Sequence, residues 1–165
     1  MTTIRYMVPE DAEAVSALLH ESWRRTYSPL MGEKKAVEAS AAFHDIEKLA
    51  AEADNEDNVI FVAEDEDGHI VGHAMASMDE DHRAWLRRLY IAPEKFGSGL
   101  AVDLLHAILA AHSGLPFIAL EVAAGNDRAI AFYRKHGFLD AGHKADCSGI
   151  DGVPALIMTK ILPRA

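Results

Sequence analysis

Small and apolar side chains follow two rhythms along this chain. Val15, Leu18, Leu19, Ser22 and Trp23 stand at i, i+3, i+4, i+7 and i+8, one face of a helix. Pro9, Glu10 and Asp11 open that helix, since proline suits the first turn and acids complement the dipole there. Ser28-Pro29 and Gly32 are expected to break it. A second helix is expected from Glu33 to Ala53, carried by Ala39, Phe43, Ile46 and Ala50.

The rhythm then changes. A short extended piece, Thr3 to Met7, precedes the first helix, and Val59 to Ala63 is an unbroken β-branched and apolar run, a buried strand. Acids and Gly68 turn the chain, and His69 to Met78 returns as a hairpin partner. His82 to Ile91 reads as the next strand and Phe117 to Ala123 as another. Between them Leu104, Leu105, Ile108 and Leu109 mark a helix ending near His112. Asn126 to His136 reads as the last helix, Gly137 suits its C-terminal end, and Phe138 to Lys144 and Val153 to Ile161 close the chain as strands. The order β-α-α-β-β-β-α-β-α-β-β predicts an α+β (mixed α/β) fold, a mixed central sheet of about seven strands flanked by helices on both faces.

Composition narrows the field. The 165 residues fit one domain, 1–165, with no repeat or linker to divide them. A formal net charge of -10 argues against nucleic acid as a partner. No N-terminal apolar stretch or long apolar run suggests secretion or a membrane span. The single cysteine, Cys147, cannot form an internal disulfide and agrees with a cytoplasmic location.

Candidate chemistry begins at "KFGSGLAVDLL", where Gly97 and Gly99 sit at the foot of a helix. Free first-turn amides and the positive end of the dipole suit an anion, and bare glycines let it come close. A dinucleotide fingerprint would need glycine at Val102, and no Lys-Ser/Thr pair follows Gly99 as a Walker A loop demands. The histidines show no metal-ligand spacing, so no metal is expected.

A second segment, "LEVAAGNDRAIAFYRKHGF", runs strand, loop, helix and Gly-Phe. Together these two segments, with the same order of elements, make nearly the whole chain resemble the GNAT superfamily of acetyl-CoA-dependent N-acetyltransferases. The resemblance implies acetyl-CoA as cofactor (CoA as product) and an acyltransferase moving acetyl directly to an amine. The family's phosphate-loop signature falls on Phe96, Gly97, Ser98, Gly99, Leu100 and Ala101, with Phe96 where a polar residue is usual. The amides from Gly97 to Ala101 would cradle the CoA pyrophosphate, and the strand at Leu89, Tyr90 and Ile91 would face the pantetheine arm. Asn126 and Ala129 would touch the CoA arm, though Asn126 also fits as an N-cap.

Tyr133 falls on the family's general acid, a neutral phenol able to protonate a leaving thiolate. It also shares a helical face with Ala129, Phe132 and His136, so core packing is its other reading. Glu121, flanked by Leu120 and Val122, points opposite to them, either into a cleft as base or into a structural ion pair. Its "LEV" setting resembles ribosomal-protein alanine acetyltransferases. Tyr90, His82 and Asp79 are lesser candidates for the base. By the resemblance the acceptor site would include Trp23, Tyr27, Met31 and residues around Cys147 to Val153, with Trp23 equally readable as core.

The C-terminal spacing, from Gly137-Phe138 through Gly142-His143 to Leu156-Ile157-Met158, resembles bacterial polyamine acetyltransferases, and the net negative charge fits a polycation. A small-molecule, polyamine-like amine is therefore the first expectation for the acceptor and a protein or peptide amine the second. A non-catalytic CoA-binding module is the reading from another class. Dimers are common in the family, which places a homodimer among the expectations.

Overall fold

A computed structural model describes residues 1–147 and 150–164. The strands are β1 (Thr3–Tyr6), β2 (Asn58–Glu64), β3 (Ile70–Met78), β4 (Ala84–Ile91), β5 (Phe117–Ala123), β6 (Leu139–Lys144) and β7 (Ala155–Ile161). The helices are α1 (Ala12–Met31), α2 (Glu33–Phe43), α3 (Ile46–Asp54), α4 (Leu100–Ala111) and α5 (Asp127–Lys135). The strands form one seven-stranded sheet in the order β1-β2-β3-β4-β5-β7-β6. All neighbours are antiparallel except β4 and β5.

The sheet is covered on both faces, as the element order predicts. On one face Leu100, Leu104, Leu105 and Ile108 of α4 and Ile130 of α5 pack with Ala74, Leu86, Leu120 and Val122. Gly72 of β3 lets α4 come close, because a Cβ there would stand 2.9 Å from Leu104 Cδ1. On the other face Val15 and Leu19 of α1 and Leu49 of α3 bury Ile60, Val62 and Met75. Further along, Trp23, Tyr27, Ala36 and Ala123 join Cys147, Ile150 and Val153 in a third cluster.

Two helix boundaries differ from the sequence expectation. The helix expected from Glu33 to Ala53 is two helices, α2 and α3. His44 is buried between them, its carbonyl accepting from Ser16 Oγ at 2.8 Å. Asp45 then starts α3 as an N-cap, accepting from the Lys48 amide. α1 also does not break at Ser28-Pro29 but runs to Met31. Proline removes one helical hydrogen bond, and the packing of Leu30 and Met31 against the third cluster offsets that loss. Leu30 lies so close to Gly125 that a Cβ there would meet its Cδ2 at 2.7 Å.

Candidate functional site

The parallel pair is incomplete, and that creates the site. β4 and β5 are in register only at Ala84↔Ile118, Trp85↔Ala119 and Leu86↔Leu120. Beyond Leu86 the strands part, although β4 stays paired with β3 as far as Ile91 and β5 with β7 as far as Ala123. The parting coincides with a bulge. Ala76 faces Leu86 and Met75 faces Arg88, which leaves Arg87 as the extra residue. A bulge bends and twists its strand, so β4 swings away from β5 and bares the backbone edge of its outer half.

A cavity of about 920 Å³ fills the gap. Leu89 and Ile91 of β4 belong to the α4 and α5 side of the sheet, while Tyr90 belongs to the α1 side. The cavity therefore has two arms that meet where the strands part.

Gly97, Ala101, Asn126, Ala129, Phe132 and Tyr133 line the first arm. Gly97 and Gly99 have φ of 78° and 88°, in the left-handed region that favours glycine. A Cβ on either would meet nothing within 4 Å, so their role is conformational and the space before them is open. Gly99 is the N-cap of α4, whose first-turn amides lack helical acceptors. Two loop amides are already engaged: Ser98 donates to the Lys95 carbonyl and Leu100 to Ser98 Oγ. Leu100 itself is buried core, and Ser98 and Gly99 stand outside the cavity wall.

Asn126 caps α5, its side chain accepting from the Ala129 amide at 3.3 Å. Two turns on from Asn126, Tyr133 packs edge-on against Phe132 and Phe138. Burial, and then the neighbouring Tyr90, push its phenol well above the ordinary range, so it stays protonated at neutral pH. Packing and access to the cavity thus coexist in one residue.

Phe96, 39% exposed, stands at the rim between two cations. Arg128 lies 4.5 Å and Arg25 5.7 Å from its ring centroid. All three line the cavity, and neither arginine was singled out by the sequence reading.

The second arm is walled by Trp23, Tyr27, Phe43, His44, Glu52, Arg88 and Tyr90. Trp23 and Tyr27 are both core and cavity wall, tilted together at 4.5 Å. Interaction with Tyr90 and burial raise the Tyr27 phenol, and burial raises that of Tyr90. Met31 packs on their cluster at the end of α1, outside the wall. Of the expected acceptor segment around Cys147 to Val153, Ser148 and Gly149 lie outside the described residues, while Cys147, Ile150 and Val153 are buried beside Trp23. Arg88 grips Glu52 in a bidentate pair, both contacts 2.9 Å.

Glu121 sits one residue past the last β4–β5 pair, at the junction of the arms. Its side chain is 7% exposed, and Oε1 stands 2.7 Å from Lys144 Nζ outside hydrogen-bond geometry. Glu121 therefore both lines the cavity and is ion-paired. Asp79 holds a turn instead: it accepts from Trp85 Nε1 and from Arg83, bonds that keep its carboxyl below the usual range. His82 belongs to the same turn, with φ 57°. Neither lines the cavity.

"LRRLYI" carried the one sequence signal for the missed residues, since two adjacent arginines interrupt a strand alternation. Arg25, Glu52, Arg128 and Lys144 read as ordinary surface charges, and only the tertiary fold brings them here.

The family model described as the acetyltransferase (GNAT) family matches residues 15–138. An uncharacterized N-acetyltransferase of Mycobacterium tuberculosis is 42% identical over 74 residues, 44% of this chain and 47% of its own. The chain thus matches about half the length of that relative. The PaiA N-acetyltransferase of Thermoplasma acidophilum, solved in complex with coenzyme A, superposes with a TM-score of 0.82 at 26% identity, covering 98% of this chain and 99% of that one. A ribosomal-protein alanine N-acetyltransferase of Escherichia coli gives 0.75 at 22% identity, over 100% and 96% of the two chains, a likeness of fold alone.

Proposed function

The chain belongs to the acetyltransferase (GNAT) family, and from that premise we propose that it transfers an acetyl group from acetyl-CoA directly to a primary amine of a small molecule. The observation that carries this reading is the parting of β4 and β5 beyond Leu86↔Leu120, between the glycine loop and Tyr133. The PaiA relative holds coenzyme A in its solved structure, which supports the same ligand here. One sheet runs through β1 to β7, which supports treating 1–165 as one catalytic domain. A cytoplasmic setting belongs to the same reading.

Bound acetyl-CoA would supply an activated thioester. The Gly97 and Ala101 amides, with Arg25 and Arg128 nearby, would hold its phosphates. The bare edge of β4 at Leu89, Tyr90 and Ile91 would bond the pantetheine amides, and Asn126 and Ala129 would flank that arm. Tyr133, kept neutral by burial, would give its proton to the departing thiolate sulfur. Glu121 would take a proton from the attacking ammonium, exchanging Lys144 for it. Trp23 and Tyr27 would shape the acceptor arm, with Met31 supporting them from behind.

The polyamine expectation rested partly on the charge of the whole chain. The cavity has the opposite balance: among the described residues Arg25, Arg87, Arg88, Arg128 and Lys144 line it against Glu52 and Glu121. That balance favours a small amine other than a polycation. A protein N-terminal amine remains the alternative acceptor, supported only by the "LEV" setting of Glu121.

The test is thermal unfolding with acetyl-CoA, followed by thiol release with amines. At a hundred times its dissociation constant the ligand should add roughly 2.7 kcal/mol of stability. No shift at millimolar acetyl-CoA overturns the proposal. A shift with no thiol release from any amine would favour the non-catalytic module.

A further inference from the structure

The bulge at Arg87 decides what the acceptor arm can hold. Leu86 and Leu89 both pack in the α4 and α5 cluster, so the two residues between them lie on the other face. Arg88 accordingly reaches Glu52 of α3. Arg87 reaches Ser77 Oγ, its Nε donating at 2.9 Å, and its guanidinium lies 5.3 Å from the Trp85 ring centroid. One extra backbone residue thus puts both arginines on the same face of β4, where both line the cavity.

Their charges are not equally engaged. Glu52 uses both carboxylate oxygens on Arg88, and Glu121 is paired with Lys144. Among the described residues Arg87 has no carboxylate partner, and both of its Nη groups remain for an outside acceptor. Burial lowers its pKa, while the nearby Glu121 and Asp79 carboxylates oppose that loss. Arg87 as a residue is exposed, and a cation with no carboxylate partner gains from an added anion.

Resting on the transferase reading above, we propose that the acceptor is an amine carrying its own anionic group close to the nitrogen. The anion sits on Arg87, and the ammonium faces Glu121. A planar guanidinium binds carboxylate and phosphate alike in two-pronged fashion, so either anion fits.

The experiment compares matched acceptors by acetyl-CoA-dependent thiol release: β-alanine against propylamine, O-phosphoethanolamine against ethanolamine, and spermidine as the polycation. The anionic member of a pair should show a KM lower by roughly 10- to 100-fold, the worth of a hydrogen bond to a charged group. Arg87→Met should bring the two members of that pair to nearly equal KM, with the kcat for the anionic one little changed, and Arg87→Lys should restore part of the difference. Preference in the first pair alone identifies a carboxylate, and in the second alone a phosphate. Absence of an anionic preference in both pairs, or turnover of spermidine equal to or better than that of the preferred anionic acceptor, overturns the proposal, as does an R87M variant that keeps the wild-type preference or raises both values equally. Thiol release from no amine, with acetyl-CoA still stabilising the chain, overturns the transferase reading itself.

Discussion

Arg128 holds its guanidinium 4.5 Å from the centroid of the Phe96 ring. This contact, with Arg25 at 5.7 Å, explains an apolar side chain beside a phosphate loop. Phe96 contributes no polar group of its own. It gives two cations from different helices a common place to rest at the cavity rim.

Replacing Phe96 by alanine should therefore weaken acetyl-CoA rather than slow the reaction. Two cation–π contacts of ~0.5–1 kcal/mol each would be lost, and the arginines would gain freedom to be re-ordered on binding. Affinity should fall roughly fivefold while kcat at saturation holds. Calorimetric titration measures the first and steady-state rates the second. Unchanged affinity would show that the arginines find their places without the ring.

Tyr133→Phe keeps the ring on Phe132 and Phe138 and removes only the proton donor. The expected result is a kcat lower by roughly 10²- to 10⁴-fold, with thermal stabilisation by acetyl-CoA retained. A variant with full turnover would leave Tyr133 as packing alone.

Two buried histidines predict an acid-sensitive fold. Burial holds His44 down to about 3 and His73 well below its ordinary value, with Arg88 opposing the charged form of both. Each binds its proton more readily when unfolded, so the stability tied to its neutral form is complete above pH ~6.5 and is lost as pH falls toward the folded pKa. The slope is up to ~1.4 kcal/mol per pH unit for each group. The paired carboxylate Asp11 is also held low, so its share is lost only at more acidic pH. Urea titrations between pH 7.5 and 4.5 should show the decline, and His73→Leu should flatten it.

Gly99→Ala tests whether the loop needs its shape or only its size. A Cβ would strike nothing, yet φ is 88°. The left-handed conformation should cost ~1–2 kcal/mol, read as a lower urea midpoint. Acetyl-CoA affinity should fall as well, because relief of the strain turns the amides away.

What could be read from the sequence divides by distance along the chain. Val59 to Ala63, the glycines before α4 and the Asn126–Tyr133 helix are local patterns, and local physics places them. The break at His44 depends on Ser16, and the passage of α1 through Pro29 on the packing of Leu30 against Gly125, partners that lie elsewhere in the chain. Phe96 was visible as an oddity, but its partners were not. The pairing of Glu121 with Lys144 likewise needed β5, β7 and β6 to be assembled first.

The extra residue in β4 also makes the molecule sensitive to length in a way that substitution is not. Deleting Arg87 would let the β3–β4 ladder close without interruption. Leu86, Arg88 and Leu89 would then alternate regularly, both leucines keeping their place in the apolar cluster and Arg88 its place toward Glu52. What would be lost is the bend that the bulge imposes, and with it the strand's reason to leave β5. A chain shortened by this single residue could keep every other side chain of the cavity and still have no cleft.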